Sequence, residues 1–153
     1  MERTLLLIKP SAIQRGLIGE VIKRIEMKGL RLTGIKMMQL DDTILDEHYS
    51  HLCKKPFFPI VKDSMKATPV IACCIEGLEA VTVVRNLTGS TNGRNAAPGT
   101  IRGDFSVSVL ENIVHTSDSP EAASVEVPRF FKSDELFSYK SAAFAFTYSP
   151  DEI

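Results

Sequence analysis

The stretch NIVHTSDSP, Asn112–Pro120, gathers Asn112, His115, Thr116, Ser117, Asp118 and Ser119 behind the apolar-alternating segment FSVSVL. A neutral imidazole is a competent nucleophile near neutral pH, because its reference pKa is about 6.5. Ser119-Pro120 has the form of a helix start, with Ser119 as cap and Pro120 in the first turn. A helix begun there carries Glu126 two turns in, where its carboxylate can turn back and hold one ring nitrogen of His115. The other nitrogen is then free to attack, which is the nucleophile–orienter pairing of covalent catalysis. Taken alone, the stretch fits a loop-satisfied histidine beside a helix cap better, because short motifs match by chance.

An anionic substrate needs cations, and the candidates are Lys9, Arg85, Arg94 and Arg102. Guanidinium groups suit bidentate phosphate contacts. The arginines lie in or next to Gly89–Asp104, a segment rich in Gly, Asn, Pro and Ala; such long loops are usually functional or disordered. Each Arg by itself reads as a surface charge. No G-x-x-x-x-G-K-[ST] cradle is present, and GLIG and GSTNG are too weak for a dinucleotide fingerprint. His48 and His51 share a helix, but no Cys/His set completes a zinc site, so they read as a solvated face. In KPFFP, Phe57 and Phe58 cannot both face inward: one is core, and the other is an exposed platform for a base or part of a hydrophobic hinge.

These groups need a scaffold. Thr4–Ile8 reads as a buried strand ending in Lys9. GLIGEVIKRIEMKGL is an amphipathic helix with Leu17, Ile18, Val21, Ile22 and Ile25 on one face and Gly29 as its stop. LRLTGIKMMQL is a second strand. DDTILDEHYSHLCKK and FFPIVKDSMKA are two helices broken at Pro56. Pro69–Gly77 is a third strand, apolar on both faces. LEAVTVVRNLTG is a helix, and FSVSVLENI is expected as the fourth strand. The last helix follows Ser119, and Pro128 is expected to end or bend it. The order predicts an α+β ferredoxin-like sandwich. Helices cover one face of a four-stranded, mainly antiparallel sheet, with an extra helical pair and a C-terminal tail.

The chain has 153 residues, 44% hydrophobic and 24% charged, with net charge −1. That is one domain, 1–153, with room for a real core. The balance argues against bulk disorder, and a pI near 6.3 without a basic stripe argues against a nucleic-acid binder. Three cysteines, two of them adjacent, make a poor disulfide framework, so reduced thiols and a cytoplasmic setting are expected. MERTLLLIKP lacks a signal-peptide layout, and no apolar run reaches membrane-span length.

Together these stretches resemble the nucleoside diphosphate kinase family. The family pattern around its catalytic histidine is N-x-x-H-G-S-D-S; here Asn112–Ser119 reads NIVHTSDS. The likeness continues through TLLLIKP, QRGLIGEVIKRIEMKGL, HYSHLCKKPFFP, VVRNLTGSTN and PGTIRGDF, covering nearly the whole chain in order. It implies transfer of the terminal phosphate of a nucleoside triphosphate, typically ATP, to a nucleoside diphosphate. The route is ping-pong through a phosphohistidine, with Mg²⁺ on the nucleotide and low base specificity. It implies His115 as nucleophile, Glu126 as its orienter and Ser117 as support. Lys9 would hold the terminal phosphates, with Tyr49 positioning its ammonium. Arg85, Thr91 and Arg102 would contact phosphate oxygens, and Asn112 with Lys9 would meet the ribose hydroxyls. Phe57 would stack on the base, with Leu52 and Val109 lining the other side. Asp118 would reach Mg²⁺ through a water. Homo-oligomers built from dimers are also implied, with a hexamer expected and a tetramer as the alternative.

Three departures stand out. Thr116 replaces the usual Gly, and a β-branched residue adopts positive φ only under strain. Ser11-Ala12 replaces a frequent Asp-Gly, which should alter a turn more than the chemistry. Gly93-Arg94-Asn95 differs from the usual loop that contacts neighbouring subunits. A catalytically silent nucleotide-binding or regulatory module of the same fold is the rival reading, and the retained His115–Glu126 pairing argues against it.

Overall fold

Apolar runs that alternate their burial between two faces organise this computed structural model, which describes residues 1–153. Strand β1, Glu2–Ile8, lies at the centre and pairs antiparallel with β3, Val70–Gly77, and with β4, Val114–Thr116. Strand β2, Arg31–Met38, pairs antiparallel with the outer side of β3, so the sheet order is β2-β3-β1-β4. Side chains alternate across a strand. Leu6, Ile8, Cys73 and Ile75 therefore fill one core with Val21 and Ile25 of helix α2, Ile18–Met27, and with Ala80 and Val84 of helix α5, Ala80–Thr88. Leu5, Leu7, Ala72 and Cys74 fill the opposite core. There they meet Leu45 of α3, Asp42–His48, Phe58 and Met65 of α4, Phe58–Lys66, and Val127 and Phe130 of α7, Pro120–Phe130. The ferredoxin-like sandwich holds, but helices cover both faces. The reason lies in β3, every residue of which is buried.

The fourth strand is not where the alternation of FSVSVLENI placed it. Phe105 ends helix α6, Ile101–Phe105; residues 106–113 are loop, and the strand is Val114–Thr116. The alternating valines face solvent, with Val107 79% and Val109 51% exposed. The serines between them bond locally instead of leaving the backbone to a ladder: Ser106 Oγ donates to the Ser108 or Glu111 carbonyl, and Ser108 Oγ accepts from Leu110 and Glu111 N–H. His115 thus sits on a strand rather than behind one.

Further local differences follow from turn chemistry. A short helix α1, Pro10–Gln14, starts on Pro10 directly after β1. The helix expected through Lys55 stops at His48 and continues as a 3₁₀ turn over Ser50–Leu52. Within Gly89–Asp104, a 3₁₀ turn at Gly93–Asn95 and α6 supply order. Thr100 caps α6 by accepting from Gly103 N–H, and a Cβ on Gly103 would collide with the Ala97 carbonyl. Pro128 neither ends nor truncates α7, which runs to Phe130 and closes with Phe131 N–H on the Val127 carbonyl. The tail runs back along β2, where Phe137 N–H meets the Thr33 carbonyl at 2.7 Å.

Candidate active site

His115 is presented by β4, opposite Leu7 of β1. The chain enters that strand through a strained turn. Ile113 has φ of 75°, and Val114 N–H donates back to the Asn112 carbonyl at 2.9 Å. This is a γ-turn with positive φ, a rare conformation that a β-branched residue tolerates only when its surroundings enforce it. Ile113 is fully buried, and its carbonyl accepts from Lys9 N–H at 2.9 Å, so packing and hydrogen bonding both hold it. Thr116, where the family pattern has Gly, is extended within β4 and unstrained. The local strain lies three residues earlier than the departure from the pattern suggested.

Helix α7 begins where the sequence indicates: Ser119 Oγ accepts from Ala122 N–H at 3.1 Å and Pro120 fills the first position. Glu126 consequently turns toward β4. Its Oε2 lies 3.3 Å from His115 Nε2 and accepts from Ser117 Oγ at 2.6 Å. Ser117 is fully buried, and its Oγ accepts from Leu5 N–H at 3.3 Å, which anchors the chain of bonds to the central strand. Burial alone would raise the Glu126 carboxyl, but the His115 contact and the Ser117 hydroxyl outweigh it and hold the group at about 2. Glu126 is therefore an anion that orients Nε2 and leaves Nδ1 without a hydrogen-bond partner.

The cations form a second cluster on the entry to β4. Lys9 Nζ donates to the Leu110 carbonyl at 2.5 Å and to Asn112 Oδ1 at 2.9 Å; Asn112 Nδ2 donates to the Thr91 carbonyl at 3.0 Å. Burial lowers the Lys9 ammonium to about 8, offset in part by Glu111 and reinforced by Arg102. Arg102 on α6 is buried and donates Nε–H to the Asn112 carbonyl at 3.2 Å, Nη1–H to Gly89 at 2.7 Å and Nη2–H to Val114 at 2.8 Å. A guanidinium has five N–H donors, so two remain for a ligand. Burial, with Arg85 next, lowers Arg102 to about 10. Arg85 on α5 pairs with Asp118. Arg94 does not join the cluster; it donates to the Val107 carbonyl on the surface.

Tyr49 follows α3 and packs against His115 with ring centroids 5.9 Å apart; no hydrogen bond joins it to Lys9. Of the adjacent aromatics, Phe58 is core and Phe57 is the exposed one, at 46%. Leu52 is half-buried and Val109 exposed, so Phe57, Leu52 and Val109 offer apolar surface without polar partners.

The sequence reading misplaced His48. It is 5% exposed and stacks edge-on against His115 with centroids 4.4 Å apart. The signal was present: Leu45 and His48 are three apart on α3, so they share the face that packs inward. The carbonyls of Gly89, Leu110 and Val114 had no side-chain signature at all.

His48, His115 and Glu126 place ligand-capable atoms within 4.8 Å of one another. Two nitrogens and one carboxylate do not suit Mg²⁺, which prefers oxygen and retains water. The exposed carboxylate of Asp118, beside Arg85, fits an ion that is carried mainly by substrate phosphates.

Comparison with known proteins identifies the family. A family model described as "Nucleoside diphosphate kinase" matches residues 2–136. A nucleoside diphosphate kinase from Parabacteroides distasonis is 60% identical over 152 residues, 99% of each chain. Nucleoside diphosphate kinase B from Bos taurus is 46% identical over 147 residues, 96% of this chain and 97% of that one. The structure of a halophilic nucleoside diphosphate kinase from Halobacterium salinarum in complex with CDP superposes with a TM-score of 0.94 at 41% identity, covering 97% of this chain and 99% of that one. The family model, the full-length relatives and the shared fold show that the chain belongs to the nucleoside diphosphate kinase family.

Proposed function

We propose that this chain transfers the terminal phosphate of a nucleoside triphosphate to a nucleoside diphosphate through a phosphohistidine at His115. The observation that carries the reading is the pair of bonds that Glu126 Oε2 accepts, from the Ser117 hydroxyl and from His115 Nε2–H, which leaves Nδ1 as the free nucleophile. In the first half-reaction Nδ1 bonds the terminal phosphorus as the bond to the bridging oxygen breaks, and the diphosphate leaves. Nε2 keeps its proton, and Glu126 balances the charge that appears on the ring. In the second half-reaction a terminal oxygen of another diphosphate attacks the same phosphorus and His115 returns to its starting state.

Such transfer depends on placement and charge stabilisation more than on acid–base steps. Lys9, Arg85 and the two spare donors of Arg102 meet phosphate oxygens, and Thr91 adds its hydroxyl. Asn112, with Lys9, meets the ribose. Phe57 stacks on the base, with Leu52 and Val109 on the other side, and apolar stacking tolerates any base. Mg²⁺ bound with the nucleotide would supply charge neutralisation on the phosphates, and Asp118 would help to hold it.

Incubation with γ-labelled ATP and Mg²⁺ should place acid-labile phosphate on the wild type, removed by any nucleoside diphosphate, and place none on His115→Ala. Nucleotide binding without label on the wild type would instead identify a silent module. We also propose a hexamer built from dimers, supported by the exposed Ile35 and Met37 of edge strand β2. Sedimentation giving a monomer at micromolar concentration would contradict it. The three free cysteines support a reducing, cytoplasmic setting, testable by fractionation. No helix is long and apolar enough to cross a membrane.

A further inference from the structure

Arg129 takes no part in the site as described so far, yet its guanidinium reaches the ring that packs on the nucleophile. From α7 it donates Nε–H to Glu47 Oε1 at 2.9 Å, and its Nη1 lies 3.2 Å from His48 Nδ1. A guanidinium only donates. His48 Nδ1 must therefore be the acceptor, and the single proton of the neutral ring sits on Nε2. His48 Nε2 is buried and has no partner within the protein. The His48 ring edge meets His115 with an interplanar angle of 77°.

The charge on His48 matters to the reaction proposed above. When Nδ1 of His115 bonds phosphorus while Nε2 keeps its proton, the His115 ring becomes cationic. A protonated His48 in contact with it would oppose that charge in a setting where water screens little. A neutral ring edge does not. We propose that Arg129 is a positioning residue acting through His48: its Nη1–H holds His48 as the neutral Nε2–H tautomer, which keeps an uncharged ring edge against the nucleophile. This rests on His115 being the phosphoryl acceptor.

The surroundings agree. Tyr49 and Phe130 enclose His48, with ring centroids 4.7 and 5.1 Å away. Burial disfavours its protonation most, His115 next, and Arg129 and His51 add to this; Glu126 alone favours the cation. Glu47 pairs with Arg129 from its solvent side at 2.9 Å, so the largely buried guanidinium is held in place against His48. The pairing differs from a plain packing contact because it specifies which nitrogen carries the proton.

The test uses the full-length protein and R129M, which keeps the aliphatic stem and removes donor and charge. Imidazole ¹⁵N spectra of the wild type should show His48 neutral with its proton on Nε2 from about pH 8 down to about pH 5. In R129M the other tautomer should appear and protonation should begin at higher pH. Single-turnover labelling of His115 by ATP should match the wild type within about twofold near pH 8, and the variant-to-wild-type ratio should fall by about twofold or more between pH 8 and pH 5, with nucleotide affinity unchanged. R129K, which retains a donor, should restore the wild-type profile, and R129M/H48F should lose the extra pH dependence. A purely structural role would lower thermal stability and scale the rates equally at every pH. A wild-type His48 proton on Nδ1, or an R129M-to-wild-type rate ratio constant with pH, overturns the proposal. If the wild type takes no label on His115, the kinase reading fails, while the spectra still judge the tautomer.

Discussion

Glu126 Oε2 accepts from Ser117 Oγ at 2.6 Å and lies 3.3 Å from His115 Nε2, so one carboxylate oxygen joins Ser117, which is bonded to Leu5 in the middle of β1, to the candidate nucleophile. Ser117→Ala removes the donor and also leaves Leu5 N–H without its side-chain acceptor. Hydrogen bonds to charged groups contribute about 1.5–3 kcal/mol. Chemical denaturation should show a loss of that size, and phosphohistidine formation should slow. An unchanged midpoint together with an unchanged rate would show that the hydroxyl does not support the pair.

Lys9 titrates activity and stability in opposite directions. Its folded value of about 8 lies below the ordinary value of 10.5, chiefly because it is buried. Between those values the unfolded chain binds more protons, so this group's contribution to stability increases as pH rises. Its charge, and with it the proposed phosphate contact, is lost over the same range. The free-enzyme profile of kcat/KM should therefore carry an alkaline limb near pH 8 while urea midpoints show no parallel loss. Lys9→Met should abolish that limb along with most of the activity.

Acid should unfold this protein through His48 and Glu126 together. His48 is depressed from 6.5 to about 3 by burial, so the unfolded state takes up a proton first and stability falls as pH drops from about 6.5 toward 3. Glu126 is held near 2 against an ordinary value of 4.5, so its contribution is present above 4.5 and is lost toward 2. Each group adds a slope of at most about 1.4 kcal/mol per pH unit. Denaturant titrations of wild type and His48→Phe should diverge below about pH 6, with the variant less acid-sensitive.

Arg102→Lys is not a conservative change here. The guanidinium spans three carbonyls in a fixed fork while keeping two donors for ligand, which one ammonium cannot do. A stability loss of about 2–4 kcal/mol is expected, with a rise in nucleotide KM. Retention of both wild-type values would show that the fork is dispensable.

Phe57 tests the base platform. It is 46% exposed, so Phe57→Ala should change stability by no more than about 0.5 kcal/mol. Stacking contributes about 1–3 kcal/mol per base, so KM should rise about fivefold or more, to a similar extent for purine and pyrimidine diphosphates. A rise confined to one base would indicate specific recognition instead.

The elements and the candidate nucleophile pair were legible in the sequence where a local rule carries them. Period and turn chemistry identify β1, α2, β3 and the start of α7, because side-chain alternation and capping act over a few residues. The His115–Glu126 pairing follows from the same rule, since Ser119-Pro120 sets the phase of the helix. Tertiary structure decided what depends on distant neighbours. The alternation of Val107 and Val109 gives no strand, because their serine neighbours bond locally and no core faces the valines. Strain falls on Ile113 rather than Thr116, because the Lys9 hydrogen bond and complete burial enforce the turn. His48 is an interior ring rather than a solvated one, because α3 packs across α7. The placement of Arg102 depends on carbonyls, which every residue has and no sequence pattern can single out.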